Sequence, residues 1–231
     1  MFSFDFLIEF LIEAIKGIPQ TLIITVVSIL LSLILGYVFA LARVHKTPVC
    51  NGLVTLFVSI VRGTPVISQL FLIYFTLPMA IMSIFKGVNL YNANPLMFAL
   101  VVFTLNATAS MTEIIRSALG AIDKGQMEAA RSIGMTGFQA YRRIIIPQAV
   151  TIALPAIGNL TTGTLKMTSL AMQISVLEIT GRAKTAASES YRYLEGYVAC
   201  LIIYLILNFL IDRLFRYIEV RSKRFKSLPV S

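Results

Sequence analysis

Long apolar runs broken by short charged punctuation dominate the chain. Residues 17–42, 63–85 and 87–112 carry no charged side chain, and residues 144–177 carry only Lys166. A helix that crosses a bilayer needs roughly 20 mostly apolar residues, so each run predicts one span. Residues 196–211 form a shorter run that can cross if Glu195, Asp212 and Arg213 reach toward the interfaces. The pattern predicts five transmembrane helices and one integral membrane domain over residues 1–231, with little chain left for anything outside the bilayer.

Proline and its neighbours mark where spans begin. In "RGTPV", Thr64 reads as a helix N-cap with Pro65 in the first turn, and in "NANPL", Asn94 and Pro95 read the same way. Pro78 is expected to kink the second span, and Pro155, Gly158 and Gly163 to loosen the fourth. Residues 47–61 are free of charge but too short to cross, and they predict an interfacial helix. At the start, Phe4, Leu7, Ile8, Leu11, Ile12 and Ile15 recur at helical spacing beside Asp5, Glu9 and Glu13. Residues 1–16 therefore predict an amphipathic helix on the outer interface rather than a cleavable signal, which would have a basic start and a small-residue cleavage site.

Residues 123–147 break the apolar pattern. Asp123 with Gln126 has the spacing of a capping box, and Gly134 suits a helix C-terminus, which predicts a helix of about two turns. Thr136 with Gln139 repeats the box and starts a second helix that runs toward Pro147. Isolated helices shorter than ~12 residues are marginal in water, so the first of these needs something to dock against. Ala129 and Ala130 keep its surface low enough for a close approach. Residues alone leave open a plain connecting loop.

Composition agrees with a membrane protein: 57% of residues are hydrophobic, 13% are charged and the mean hydropathy is +0.83. The net charge of +9 raises nucleic acid as a partner, but the placement of the charge argues against it. Arg43, Lys46, Arg62, Arg116, Lys124, Arg131, Arg142, Arg143 and the basic residues from Arg213 to Lys226 all fall on one side if five spans alternate. The positive-inside rule makes that side cytoplasmic, with the amino terminus outside and the carboxyl terminus inside. The basic tail, including residues 226–231, reads as an orientation signal near anionic lipid. Cys50 and Cys200 are too few to frame a disulfide scaffold, and His45 has no neighbours suited to hold a metal.

The stretch "GQMEAARSIGMTGFQAYRRIIIPQAVTIALPAIGN" resembles the EAA loop of ABC-importer permease subunits, through Glu128, Ala129, Ala130, Gly134 and Ile146-Pro147. "GIPQTLIITVVSILLSLILGYVFALAR", "RGTPVISQLFLIYFTLP", "TEIIRSAL" and "LKMTSLAM" resemble motifs of the polar amino acid uptake permeases, and the likeness spans residues 17–225. It implies the all-α type I permease fold in the cytoplasmic membrane of a bacterium, with residues 17–225 as the permease core. It further implies a separate ABC ATPase that binds ATP and Mg, a second permease copy or a paralogue, an extracytoplasmic solute-binding protein, and surrounding lipid. The chain has no Gly-x-x-x-x-Gly-Lys-Ser/Thr loop of its own, so this subunit is not expected to be an enzyme. Gly125, Glu128, Ala129, Ala130 and Gly134 would carry the coupling.

Polar side chains inside spans are the candidates for the path, since burying them unsatisfied in lipid is costly. They are Gln69, Asn106, Lys166, Met167, Thr168 and Ser169. Thr168 and Ser169 have the alternative of bonding their own backbone, Gln69 that of joining spans, and Lys166 that of capping carbonyls near Gly163 or pairing with Glu178. Glu113 and Arg116, three apart, are expected to pair with each other. Where relatives often carry Lys-Asp-Thr/Ser-Ser-Leu, this chain has Lys166-Met167-Thr168-Ser169-Leu170. By the resemblance that acidic position helps hold a cationic or amino group, so Met167 points away from arginine or histidine; together with the outer segment "ISVLEITGRAKTAASESYRYLEGY" it leans toward cystine or another non-basic amino acid. A secondary transporter or channel would show paired intramembrane acids or inverted repeats, and neither is present. A non-transporting scaffold gives no reason for a capped two-turn helix.

Overall fold

A computed structural model describes residues 2–44, 48–85, 89–90 and 92–223. His45, Lys46, Thr47, Gly87, Arg224, Lys226 and the tail 226–231, all used above, lie outside the described residues. The described chain is helical: α1 (Phe4–Ile15), α2 (Ile18–Val44), α3 (Pro48–Gly63), α4 (Val66–Ile84), α5 (Pro95–Gly120), α6 (Gly125–Ser132), α7 (Gly137–Ala140), α8 (Ile146–Met167), α9 (Ile179–Ser190) and α10 (Tyr193–Lys223). A π turn, Tyr141–Ile145, joins α7 to α8, and a 3-10 segment, Thr168–Ile174, continues α8. Among the described residues, five segments are long and apolar enough to cross a membrane: Ile18–Val44, Val66–Ile84, Pro95–Gly120, Gly137–Ile174 and Tyr193–Ser222.

The five expected spans are all present, but their ends differ from the apolar runs for local reasons. Among the described residues the third begins only at Pro95, where Asn94 accepts from the Leu96 N–H at 3.0 Å. It runs past Glu113 and Arg116 to Gly120 because Glu113 is bonded to both Arg116 and Arg43. The fifth takes in Glu195, which is bonded to the start of α1. Its Oε1 accepts from the Ser3 N–H at 3.1 Å and from Arg192 at 3.0 Å. Thr64 is not the cap of α4. Pro65 occupies that position and the Thr64 hydroxyl donates back to the Ile60 carbonyl at 2.8 Å, at the end of α3.

Helices α2 and α5 form the most extensive contact in the fold. The buried residues of α2 include Thr21, Thr25, Ser28, Ser32, Gly36 and Ala40, all small and three or four apart. Small residues let backbones approach closely where no hydrophobic force drives helices together in lipid. A Cβ on Gly36 would sit 2.8 Å from the Met111 Cβ. Two of the hydroxyls are satisfied locally, Thr25 donating to the Thr21 carbonyl and Ser32 to that of Ile29, both at 2.8 Å, whereas Ser28 accepts from Thr104 on α5 at 3.4 Å. An apolar core of Ile24, Leu70, Phe98, Val102, Phe103 and Ile174 then ties α4 and the 3-10 segment to this pair. Outward, Ile34, Leu72 and Leu205 stay exposed, as lipid-facing side chains do.

Helix α1 has three faces rather than two. Phe10 and Ala14 are buried against α9 and α10, with Phe6, Leu7 and Leu11 beside them. Phe4, Ile8, Ile12 and Ile15 form an adjoining exposed apolar face, and Asp5 and Glu9 an exposed polar one. Part of the apolar stripe expected to rest on the interface thus packs on the protein instead. Gly158 was expected to loosen the fourth span, yet it packs tightly: a Cβ there would meet the Phe215 ring at 3.0 Å. Pro155 sits inside an uninterrupted α8.

Candidate coupling loop and transport path

The polar stretch folds as two short helices hinged at Gly134. Met135 N–H bonds the Ala130 carbonyl at 3.1 Å and Gly134 N–H that of Arg131 at 2.9 Å, the pair of bonds that closes a helix when the residue between adopts a left-handed backbone. Gly134 does so, with φ +81°. Two residues on, the expected capping box forms: Gln139 N–H donates to Thr136 Oγ1 at 3.2 Å and Thr136 N–H to Gln139 Oε1 at 2.9 Å. The box expected at Asp123 does not. Lys124 is the N-cap of α6, Asp123 accepts from Gly125 N–H at 2.7 Å, and the Gln126 side chain turns to Gln148, 3.4 Å away.

Within the chain, α6 docks on α7 and the π turn. Ala130 is 2% exposed, so its smallness serves that internal contact, whereas Gly125, Glu128 and Ala129 face outward. Ile133 and Phe138 flank the hinge, 77% and 73% exposed. They are the two large apolar side chains exposed on this loop, and the sequence reading passed over them. The π turn follows, with Ile146 N–H bonded to the Tyr141 carbonyl, five residues back. The wider turn admits Pro147, which has no N–H to give.

Of the path candidates, Gln69 and Asn106 meet directly. Asn106 Nδ2 donates to Gln69 Oε1 at 3.2 Å, and Gln69 Nε2 donates to the Val61 carbonyl at 2.8 Å and to Thr64 Oγ1 at 2.8 Å. Gln69 therefore clasps the α3–α4 turn to α5. Lys166 and Ser169 are not buried, and Ser169 donates to the Lys166 carbonyl at 2.9 Å. Met167 is half-buried against the Leu70 and Phe98 core. Thr168 points inward, fully buried, donating to the Leu165 carbonyl at 2.7 Å and lying 3.4 Å from the Tyr204 hydroxyl.

Lys166 and Glu178 do not pair. Glu178 is fully buried and caps α9, accepting from Thr180 N–H at 2.9 Å, Gly181 N–H at 2.8 Å and the Tyr204 hydroxyl at 2.8 Å. Burial pushes its carboxyl above the usual range while these donors pull it down. Glu178 and Tyr204 are the central polar pair that sequence reasoning missed. The signal was Glu178 just before Thr180-Gly181, an acidic cap followed by a glycine that lets the chain close.

At the other end, Glu113 bonds Arg116 at 2.8 Å, as its spacing suggested, and also Arg43. Replacing Glu113 with glutamine should free both arginines. The group is part-exposed, so the expected loss is modest, about 1 kcal/mol, read as a fall of a few degrees in the unfolding temperature in detergent. An unchanged temperature would mean that the pair does not hold α2 to α5. Among the described residues, no cluster of three or more His, Cys, Asp or Glu is placed to hold a metal ion.

Comparison with known proteins agrees with this layout. Residues 32–224 match the family described as "Binding-protein-dependent transport system inner membrane component". The chain is 39% identical over 207 residues to the L-cystine transport system permease protein TcyL of Bacillus subtilis, covering 90% of this chain and 86% of that one. It is 41% identical over 204 residues to the probable amino-acid permease protein YxeN of the same organism, covering 87% and 88%. Among solved structures, an amino acid ABC transporter crystallised with histidines superposes with a TM-score of 0.83 at 31% identity, covering 96% of this chain and 99% of that one. With a shared fold, near-complete coverage and a family match over most of its length, this chain belongs to the inner-membrane permease components of binding-protein-dependent ABC transport systems.

Proposed function

We propose that the chain is the membrane subunit of a bacterial importer for a polar, non-basic amino acid, with cystine the leading candidate. It lies in the cytoplasmic membrane with its amino terminus outside, its carboxyl terminus and α6 inside, and works as a pair with a second copy or a paralogue. A separate ABC ATPase, carrying ATP and Mg, docks on α6 through Gly125, Glu128, Ala129 and the apolar pair Ile133 and Phe138. An extracytoplasmic solute-binding protein delivers the cargo. The observation that carries this reading is the exposed two-turn helix closed at Gly134, with two large apolar side chains beside it. A surface of that kind on a soluble loop marks a place where another protein sits.

The cargo reading rests on Met167 at a position where relatives often carry an acid, and on the relatives named for cystine and amino acids. Gln69, Asn106, Lys166, Met167 and Ser169 are proposed along the path. Thr168 acts behind it, through Tyr204. Uptake into vesicles that contain the ATPase and the binding protein, comparing cystine, glutamine and arginine, tests the whole. Cystine should lead, and the ATPase should co-purify in stable ratio. Full transport without any nucleotide-hydrolysing companion would sink the proposal.

Replacing Met167 with aspartate gives a sharper test of specificity. A half-buried carboxylate there should attract a cationic side chain and disfavour cystine. Arginine uptake relative to cystine is expected to rise about tenfold, the equivalent of one charge-assisted contact of about 1.4 kcal/mol. An unaltered ratio would remove Met167 from the path.

A further inference from the structure

Between α2, α5 and α8 runs an apolar groove of about 390 Å³, walled by Leu33 and Tyr37, by Ile115 and Ala118, and by Val150 and Ala153 among others. None of the transport-path residues lines it. Its α8 wall extends from Ile146 to Ile157, a rise of roughly 16 Å at the helical pitch. One leaflet of hydrocarbon is about 15 Å, half of a ~30 Å core. The groove is thus one acyl chain long, and it lies at the end of the spans from which α6 projects.

Its mouth is basic. Arg142 precedes Ile146 by four residues, about one turn, which sets it on the same side of the helix as the groove's α8 wall, and Arg143 follows it; both are exposed. Among the described residues, no hydrogen bond or ion pair holds either guanidinium. Anionic lipid is enriched on the cytoplasmic leaflet and attracts arginine there. We infer that the α2–α5–α8 groove is a binding site for one anionic glycerophospholipid, with an acyl chain lying along Ile146–Ile157 and the phosphate on Arg142 and Arg143. A zwitterionic lipid fits the same groove but leaves the two arginines without net negative charge to meet. This site rests on the orientation proposed above.

The test uses the permease with its ATPase in phosphatidylcholine vesicles that hold a trace of phosphatidylglycerol bearing a photoactivatable diazirine midway along one acyl chain. On irradiation, label should concentrate on peptides with Ile115–Leu119 and Ile146–Ile157. Unlabelled phosphatidylglycerol should compete it away and phosphatidylcholine should not. Each of Arg142→Gln and Arg143→Gln should cut the preference for the anionic lipid about fivefold, and Arg142→Lys should keep it. Val150→Trp, at an exposed position, should fill the groove and lower labelling by either lipid. Label spread evenly over the exposed faces of α2, α4 and α10 would overturn the proposal. So would equal competition by the two lipids, or cross-linking of Val150 to a second copy of the chain. ATP-driven uptake by the same vesicles reads the transport proposal separately: lost uptake with intact anionic-lipid labelling counts against that proposal and supports this site.

Discussion

Replacing Gly134 with valine is expected to abolish ATP-driven uptake while all five spans still insert. Gly134 holds φ at +81°, where an L residue costs about 1–2 kcal/mol and a β-branched one more. No neighbour lies within 4 Å of a Cβ built there, so the strain is one of backbone alone. Asparagine tolerates the left-handed region and should therefore retain most of the uptake, which separates conformation from bulk. The loss matters because α6 has only eight residues, too few to persist without its closing bonds from Gly134 and Met135. If the proposed ATPase grips α6, a frayed helix transmits nothing.

The adjacent alanines should then behave differently from each other. A leucine at Ala130 would push α6 off α7, because that side chain is buried. A leucine at Ala129 would meet only a partner, because that one is exposed. Uptake by proteoliposomes, with protease accessibility as the check on insertion, distinguishes these outcomes. Normal uptake by the Gly134 valine variant would count against α6 as the coupling element.

The five spans were legible because a 20-residue apolar run has few structural solutions in lipid: every backbone polar group must be satisfied internally. Their ends were less so. Glu113 looked like the end of a span until Arg43, on a different helix, proved to share its charge. Two capping boxes had the same spacing, but only the one at Thr136 formed, since Gln126 is drawn to Gln148 on another helix. Asn94 behaved as its sequence context suggests, whereas Thr64 found a nearer acceptor one turn back in α3. Gln69 and Asn106 were singled out for polarity, and the fold brings them together. The role of Glu178 needed Tyr204 and α2, which sequence order places far away. Most of what escaped the reading was a partner distant in sequence; Thr64, bonded four residues back, is the local exception.

The second large effect is expected from adding one methyl group at Gly17. A Cβ there would overlap the Glu178 carbonyl carbon and the Ile179 nitrogen. Both are backbone atoms at the capped start of α9, so no flexible side chain can swing aside. Relief requires α2 and α9 to part, which weakens the 3.4 Å bond from Ile179 N–H to Thr21 Oγ1 and disturbs the carboxylate that caps α9. Overpacking of this kind costs about 1–3 kcal/mol, and the backbone contacts place this case at or beyond the upper end. Glycine-to-alanine changes elsewhere gain about 0.4–1 kcal/mol through the unfolded chain, so the clash decides the sign. Gly163, within α8 and with nothing inside 4 Å of a Cβ, supplies the contrast: alanine there should leave the unfolding temperature unchanged or raise it slightly. A Gly17→Ala protein that unfolds in detergent at or above the parent's temperature would mean that α2 and α9 do not touch as described. A lower temperature with weakened uptake would tie this contact to the path, because α9 is joined through Tyr204 to Thr168, beside Lys166 and Met167.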